Sequence, residues 1–461
     1  MRLSRQNVDA PPHAVLAGFS QVGLPSAFLL YELRPSTFAS WAVGVFAVLA
    51  VIAPFSMAER TMRVLAVGML AGSFVSVAWT GTDVVSEGVL NGAGVIAFIL
   101  AAQILGDALV RGGYDQLFRA LWADITWRAS WLALLGGYLL SWVFMFTSMP
   151  VMYSALYRYD ETTRNARSPL GKDLGILLAR AYGAAAVATP MGATVLVALS
   201  VTSVSLGDFL VVATPLSLAL VPLTLIGIGG RLRALDNPGV RLDSVRAPDG
   251  SRFSYGLLVA MMLALATMIA VVSLLHVPPL AGVSSGVILI AAVWGVLGVR
   301  FVPRAPGGFG GLQPELARYG RRLSNGGLLV LAGSVFGTTL ARTPIMDSLS
   351  AGLSRLDITL AGVIITIIIV IALRVVGMPP PAIVLVAGPA LVQAVPLEPQ
   401  AMALLLVVAG IFGFLVSPAS LTSAMVSSLT GWSPVEVSLA RQLPFVALAG
   451  ALSCGYVMLI S

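Results

Sequence analysis

The sequence predicts an all-α polytopic membrane protein with about 11 transmembrane helices, two opposed re-entrant hairpins, and two inverted-topology repeats of five spans with broken helices. Three observations carry this expectation: an apolar composition, a succession of motifs that recurs at nearly constant spacing, and a one-sided distribution of basic residues. With 58% hydrophobic residues, 10% charged residues and a mean hydropathy of +0.94, the chain lacks the polar surface of a soluble globule. The net charge of +7 does not point to nucleic acid, because Lys and Arg fall in short loops between apolar runs, where they act as topology signals. A single cysteine, Cys454, excludes an internal disulfide framework, and two histidines exclude a histidine-rich metal site. The polar lead with Arg2, Arg5, Asp9, Pro11 and Pro12 argues against a cleaved signal peptide.

About 20 helical residues cross a hydrocarbon core about 30 Å thick, so uncharged runs of that order mark the spans. An extra N-terminal span falls in 1–35, where Gly23 and Pro25 interrupt the run 14–31. The first repeat, 36–230, opens with spans at 36–56, 64–80 and 88–106. The run 129–157 would extend about 43 Å as one helix and holds Pro150, so it reads better as a re-entrant hairpin (129–163) turning near Ser148-Met149-Pro150. A broken helix (173–205) and the span 209–230 follow. The charged stretch 231–252 is a cytoplasmic linker. The second repeat, 253–461, has two spans turned around His276-Val277-Pro278-Pro279, a polar loop at 303–322, a span at 323–341, a hairpin (358–396), a broken helix (399–430) and a closing span from 442.

The order repeats. Gly-x-x-Leu-x-Arg occurs at 106–111 and at 337–342, Met-Pro at Met149-Pro150 and Met378-Pro379, and the helix-breaking proline at Pro190 and Pro418, each pair about 230 residues apart. If the N-terminus is inside and each hairpin returns to its own side, the basic residues fall inside except for Arg34, Arg342 and Arg355 outside and Arg180 and Arg374 within apolar runs. Five spans per half then invert the second half, place the C-terminus outside, and turn the hairpin tips toward each other near the midplane.

Each break sets hydroxyls around a proline: Ala188-Thr189-Pro190-Met191-Gly192-Ala193-Thr194 and Val416-Ser417-Pro418-Ala419-Ser420-Leu421-Thr422. An interrupted helix frees backbone groups at membrane depth, which is tolerable only where they line a cavity or bind something. Half-helix N-termini favour anions, and C-terminal carbonyls favour small cations. The candidate substrate ligands are Ser148, Thr189, Thr194, Arg374, Ser417, Ser420 and Thr422. The candidate ion ligands are Thr147, Ser148, Thr189, Gly192, Gly377 and Ser417. Arg374 is the sharpest of these: a charge near the midplane must pair with carbonyls, a carboxylate or an anionic substrate, and the uncharged runs of the breaks hold no acid. Arg180 is expected to reach the cytoplasmic interface, Asp107 to pair with Arg111, His276 to lie in a loop, and Asp208 to sit at the outer interface.

Eleven spans with two opposed hairpins, each followed by a broken helix, resemble the ion transporter superfamily, which includes the divalent anion/sodium symporters, citrate transporters and large membrane subunits of TRAP transporters. Thr189-Pro190-Met191-Gly192-Ala193-Thr194 resembles the Thr-Pro-x-Gly break of several members, whereas neither hairpin has the asparagine of the divalent-anion symporters at its tip. The resemblance implies a secondary active transporter, working by alternating access, that symports a small organic anion with Na⁺ or H⁺ and dimerises through its scaffold in the lipid membrane. Scarce intramembrane acids and abundant hydroxyls favour Na⁺. The alternatives are a TRAP-type permease that needs a substrate-binding protein, and an ion channel. No catalytic cluster falls within the spans, so neither an enzyme nor a cofactor beyond the coupling ion is expected.

Overall fold

In the computed structural model the described residues are 12–58, 60–111, 129–144, 148–149, 152–153, 169–229, 251–275, 277–301, 312–344, 347–348, 351, 359–375, 378–418 and 420–461. Thr147, Pro150, Gly377, His276 and nearly all of the 231–252 linker lie outside them, as do the side chains of Asp107 and Arg111.

Every regular element among the described residues is helical. The chain begins with α1 (Pro12–Leu33), α2 (Thr37–Phe55), α3 (Arg60–Thr80) and α4 (Asp83–Arg111), followed by α5 (Ala129–Phe144). The stretch 169–202 forms α6 (Pro169–Ala186) and α7 (Ala193–Thr202), and α8 (Leu206–Leu223) follows. The second half contains α9 (Ser251–Leu274), α10 (Pro279–Phe301), α11 (Leu312–Ala341), α12 (Thr359–Val375) and α13 (Pro380–Ala394). It ends with α14 (Pro399–Val416), α15 (Leu421–Thr430), a π-helical turn at Glu436–Gln442, and α16 (Leu443–Ile460). Five helical stretches are long and apolar enough to cross a membrane: Met62–Thr80, Asp83–Leu100, Leu206–Leu223, Pro399–Val416 and Glu436–Ile460. Shorter apolar helical stretches such as Thr37–Ala53, Gly327–Ala341 and Pro380–Ala394 accompany them. This is the build of a helical membrane protein.

Two sequence expectations change here. The run 14–31 is one continuous helix: Gly23 breaks nothing and instead brings α1 close to Phe46 of α2. The stretch 303–322 is not all loop, because α11 already begins at Leu312. Charged residues there extend the helix beyond its apolar part, and hydropathy alone placed the boundary too late.

The helices form two groups. In the first, α11 packs on α1, α2, α3 and α4, and α10 packs on α4. The approach is closest where α11 and α4 cross antiparallel: Gly88 meets Val335, Gly92 meets Leu331, and Ser334 Oγ donates to the Gly88 carbonyl at 2.7 Å. At one end of this crossing Arg342 pairs with Glu87 at 2.9 Å, in the open. In the second group α14 is central. It is apolar all round and 83% buried, as a helix enclosed by others must be, and it touches α6, α7, α8, α12, α13 and α16.

The groups meet through α13, which lies between α11, α7 and α14. A Cβ on Gly337 of α11 would overlap the Leu385 carbonyl oxygen and stand 2.7 Å from Val386 Cα, both backbone atoms that cannot swing away. Gly337→Ala is therefore expected to force α11 and α13 apart and lower the thermal unfolding midpoint of the purified protein by several degrees. An unchanged midpoint would contradict this packing.

Candidate functional site

Both proline breaks are present. Pro190 has no N–H to continue α6, and the chain turns through 187–192 before α7 starts at its Gly192 N-cap. Within the break, Ala188 N–H donates to the Ala185 carbonyl at 3.1 Å and Gly192 N–H to the Thr189 carbonyl at 3.2 Å. The second helix ends at Val416 and restarts at Leu421, with Ser420 as N-cap. Ser420 Oγ accepts Ser423 N–H at 3.0 Å, and Ser423 Oγ donates to the Ser417 carbonyl at 2.9 Å.

The two broken helices lie side by side and antiparallel. Gly175 faces Val426 and Thr430, Gly183 faces Leu415, and Gly410 faces the Thr194 methyl group, so residue number falls on one as it rises on the other. Each break is thereby set against the unbroken part of its partner, and the breaks are neighbours. Helices α5 and α13 close over them. Thr189 Oγ1 donates to the Trp142 carbonyl of α5 at 2.7 Å and accepts Met191 N–H at 3.3 Å. Tyr138 of α5 hydrogen-bonds Ser217 at 2.8 Å, and Ser217 donates to the Ala184 carbonyl at 2.7 Å, which ties α5 and α8 to the last turn of α6. On the other side Pro380 of α13 adjoins Gly410.

Arg374 stands at the end of α12 and is 3% exposed. Its Nη1 donates to the Met378 carbonyl across the hairpin turn, its guanidinium lies 5.0 Å from the Phe414 ring centre, and its own carbonyl is 3.5 Å from Ser417 Oγ. Its Nε is buried with no hydrogen-bond partner. Two further buried polar atoms near the breaks also lack a partner: Thr422 Oγ1 in the first turn of α15 and Trp142 Nε1. Arg374 Nε and the indole N–H can only donate, and a buried donor without an acceptor is costly enough to ask for an explanation.

The candidate residues thus separate. Arg374, Ser417, Ser420 and Thr422 gather at the second break. Thr189, Gly192 and Thr194 line the first. Ser148 is buried and bonded to Ser141 at 2.7 Å, and Thr147 and Gly377 lie outside the described residues. Ser420 is engaged as a helix cap and Thr189 as a tether to α5, so both hydroxyls have structural duties. Thr189→Val is expected to lower stability by about 1 kcal/mol through loss of the Trp142 tether, read by chemical or thermal unfolding.

Sequence reasoning missed Trp142, Tyr182 and Phe414. Tyr182 is buried within electrostatic reach of Arg374, and its ring meets Phe414 edge-on at 6.3 Å. An aromatic residue in an apolar run carries no signal of such a role. Two readings are corrected. Arg180 does not reach out to the interface: it is 4% exposed and donates to the carbonyls of Thr224 (3.1 Å), Ile226 (2.6 Å) and Arg441 (2.6 Å) and to Gln442 Oε1 (3.3 Å). Carbonyls just past the end of α8 and in the last turn of the π-helical segment are brought to it by packing and satisfy it internally. The first broken helix also carries a buried acid, since α6 reaches back past the uncharged run to include Asp173, 4% exposed. Asp208 is exposed in the first turn of α8 and accepts a hydrogen bond from the N-cap Ser205 Oγ at 2.6 Å.

A surface depression of about 640 Å³ beside the α1–α2 turn, lined by Tyr31, Ser36, Ser40 and Trp41 among others, contains none of these residues. No protein-family model matches the chain, and no curated protein matches it.

Proposed function

We propose that the chain is a secondary active transporter that moves a small organic anion with a coupling ion, Na⁺ in the first instance, by alternating access. The observation that carries the reading is Arg374: a buried guanidinium with an unpartnered Nε beside a helix break, where an anion would supply the missing acceptor. The half-helices add fixed dipoles. The N-termini of α7 and α15 favour negative charge, and the C-terminal carbonyls of α6 and α14 favour a cation that wants oxygen ligands.

Inverted repeats are part of this proposal and are supported by the packing. Pairing α3 with α10, α4 with α11, α5 with α12, α6 with α14, α7 with α15, and α8 with α16 maps several observed contacts onto observed contacts. The α4–α10 contact corresponds to α11–α3, α5–α6 to α12–α14, and α7–α14 to α15–α6. The antiparallel crossing of the broken helices is what an axis in the membrane plane requires. In this reading 11 spans carry the N-terminus inside and the C-terminus outside, α1–α4 and α9–α11 act as scaffold and dimer surface, and the group around α14 moves. Membership of the ion transporter superfamily belongs to the same proposal.

The test is uptake by proteoliposomes of a panel of organic anions, with and without a Na⁺ gradient. Saturable, gradient-dependent uptake supports the symporter. Uptake only after addition of a substrate-binding protein would favour the TRAP-type permease, and conductance without saturation a channel. Orientation has its own test. With Cys454 replaced by serine, a cysteine at Ser461 is expected to react in intact cells with a membrane-impermeant maleimide, and reaction only after permeabilisation would reverse the topology.

A further inference from the structure

We infer that the anion taken at the second break is singly charged and has an apolar body, a monocarboxylate in class and not a di- or tricarboxylate. This rests on the transporter reading of the site.

Charge around the two breaks is unevenly answered. The described residues place two guanidinium groups there. Arg180 is already answered, by three carbonyls, by Gln442, and by the buried Asp173 seven residues earlier on the same helix. Its hydrogen bonds join α6 to the ends of α8 and of the π-helical turn, and leave its charge no duty toward a ligand. Arg374 is not answered. Its one bonded acceptor is the neutral Met378 carbonyl, no carboxylate pairs with it among the described residues, and Nε is free. Two further cations among the described residues, Lys172 and Arg441, lie over the Trp432 ring at 5.0 and 4.6 Å, beyond the far end of α15 from its break.

One unpaired positive charge matches one negative charge. Among the described residues a second carboxylate buried beside it would have no fixed cation of its own, and an uncompensated buried charge is strongly disfavoured. The surroundings of Arg374 describe the rest of the ligand. Phe414 covers one face of the guanidinium, the Tyr182 ring packs edge-on against Phe414, and Met378 is buried at the turn. These are surfaces for an aliphatic or aromatic body. Thr422 Oγ1 and Trp142 Nε1, unpartnered and uncharged, add polar contacts but no charge.

The experiment is calorimetric binding to the full chain in lipid nanodiscs at pH 7.5 in saturating NaCl, with two matched pairs: butyrate against succinate, and benzoate against phthalate. Butyramide and benzamide serve as uncharged controls. Butyrate or benzoate is expected to bind at least tenfold more tightly than its dicarboxylate partner and its amide, and Arg374→Gln to remove that preference. Succinate or phthalate binding as tightly as, or more tightly than, its monocarboxylate would overturn the charge count while leaving the transporter reading intact. Amides binding as well as the acids would remove charge from the site and overturn it too. If no anion binds and none of the uptake panel is carried, both readings fall together.

Discussion

Arg374→Met is expected to abolish anion uptake and, at the same time, to raise the thermal unfolding midpoint of the empty protein. The two effects have one cause. A guanidinium held at 3% exposure, with one carbonyl acceptor and an unpartnered Nε, is a net cost to the folded state until a ligand arrives. Replacing an imperfectly compensated buried charge by an apolar side chain of similar length is neutral or stabilising by about 1–4 kcal/mol. The Phe414 face and the space beside Gly413, which the Arg374 stem already touches, suit a thioether. The binding loss should be large, because removing one partner of a buried charge-assisted hydrogen bond costs about 2–5 kcal/mol, tens- to thousands-fold in affinity. Arg374→Lys should fall between, keeping the charge but losing the planar fork. A purely structural Arg374 would behave oppositely: the methionine variant would melt earlier and transport would survive in whatever protein remained folded. Uptake and the unfolding midpoint, measured on one preparation, separate the two.

How far the sequence carried the reading depends on the kind of signal. The breaks at 187–192 and 417–420 were legible because proline lacks a donor and lies among small and hydroxyl residues within long uncharged runs, a local property. The start of α13 was legible for the same reason, with Pro379 as its N-cap and Pro380 in its first turn. The roles of side chains were less so. The hydroxyls of Thr189 and Ser420 read as ligands in the sequence, yet one tethers α5 and the other caps α15, and nothing local distinguishes a free hydroxyl from an engaged one. Thr422, by contrast, keeps its hydroxyl unpartnered. Gly23 and Pro25 looked like an interruption in α1, but Gly23 marks a close approach to Phe46 that only tertiary packing reveals. Partners such as Trp142, Tyr182 and Phe414 reach the breaks from distant segments, so no window of sequence contains them.

Arg180→Met should do the reverse of Arg374→Met, and the contrast is the stricter test of the charge assignments. Both residues are buried arginines on helices beside a break, and sequence offers no way to tell a satisfied one from an unsatisfied one. Arg180 spends its donors on the carbonyls of Thr224, Ile226 and Arg441 and on Gln442 Oε1, with the Phe445 ring 5.3 Å away. Methionine would strand those acceptors at two helix ends and remove a positive charge within electrostatic reach of the buried Asp173. The expected loss is about 3–5 kcal/mol, enough to unfold a marginal protein or to free the π-helical turn from α6. Arg180→Lys would recover only part of it, since one ammonium cannot span carbonyls on two separate elements. Thermal unfolding of the two methionine variants in one detergent should therefore bracket the wild type, Arg374→Met above and Arg180→Met below. If both fell below, the guanidinium at the second break would be as well satisfied as the one that joins α6 to α8, and its availability to an anion would be lost with it.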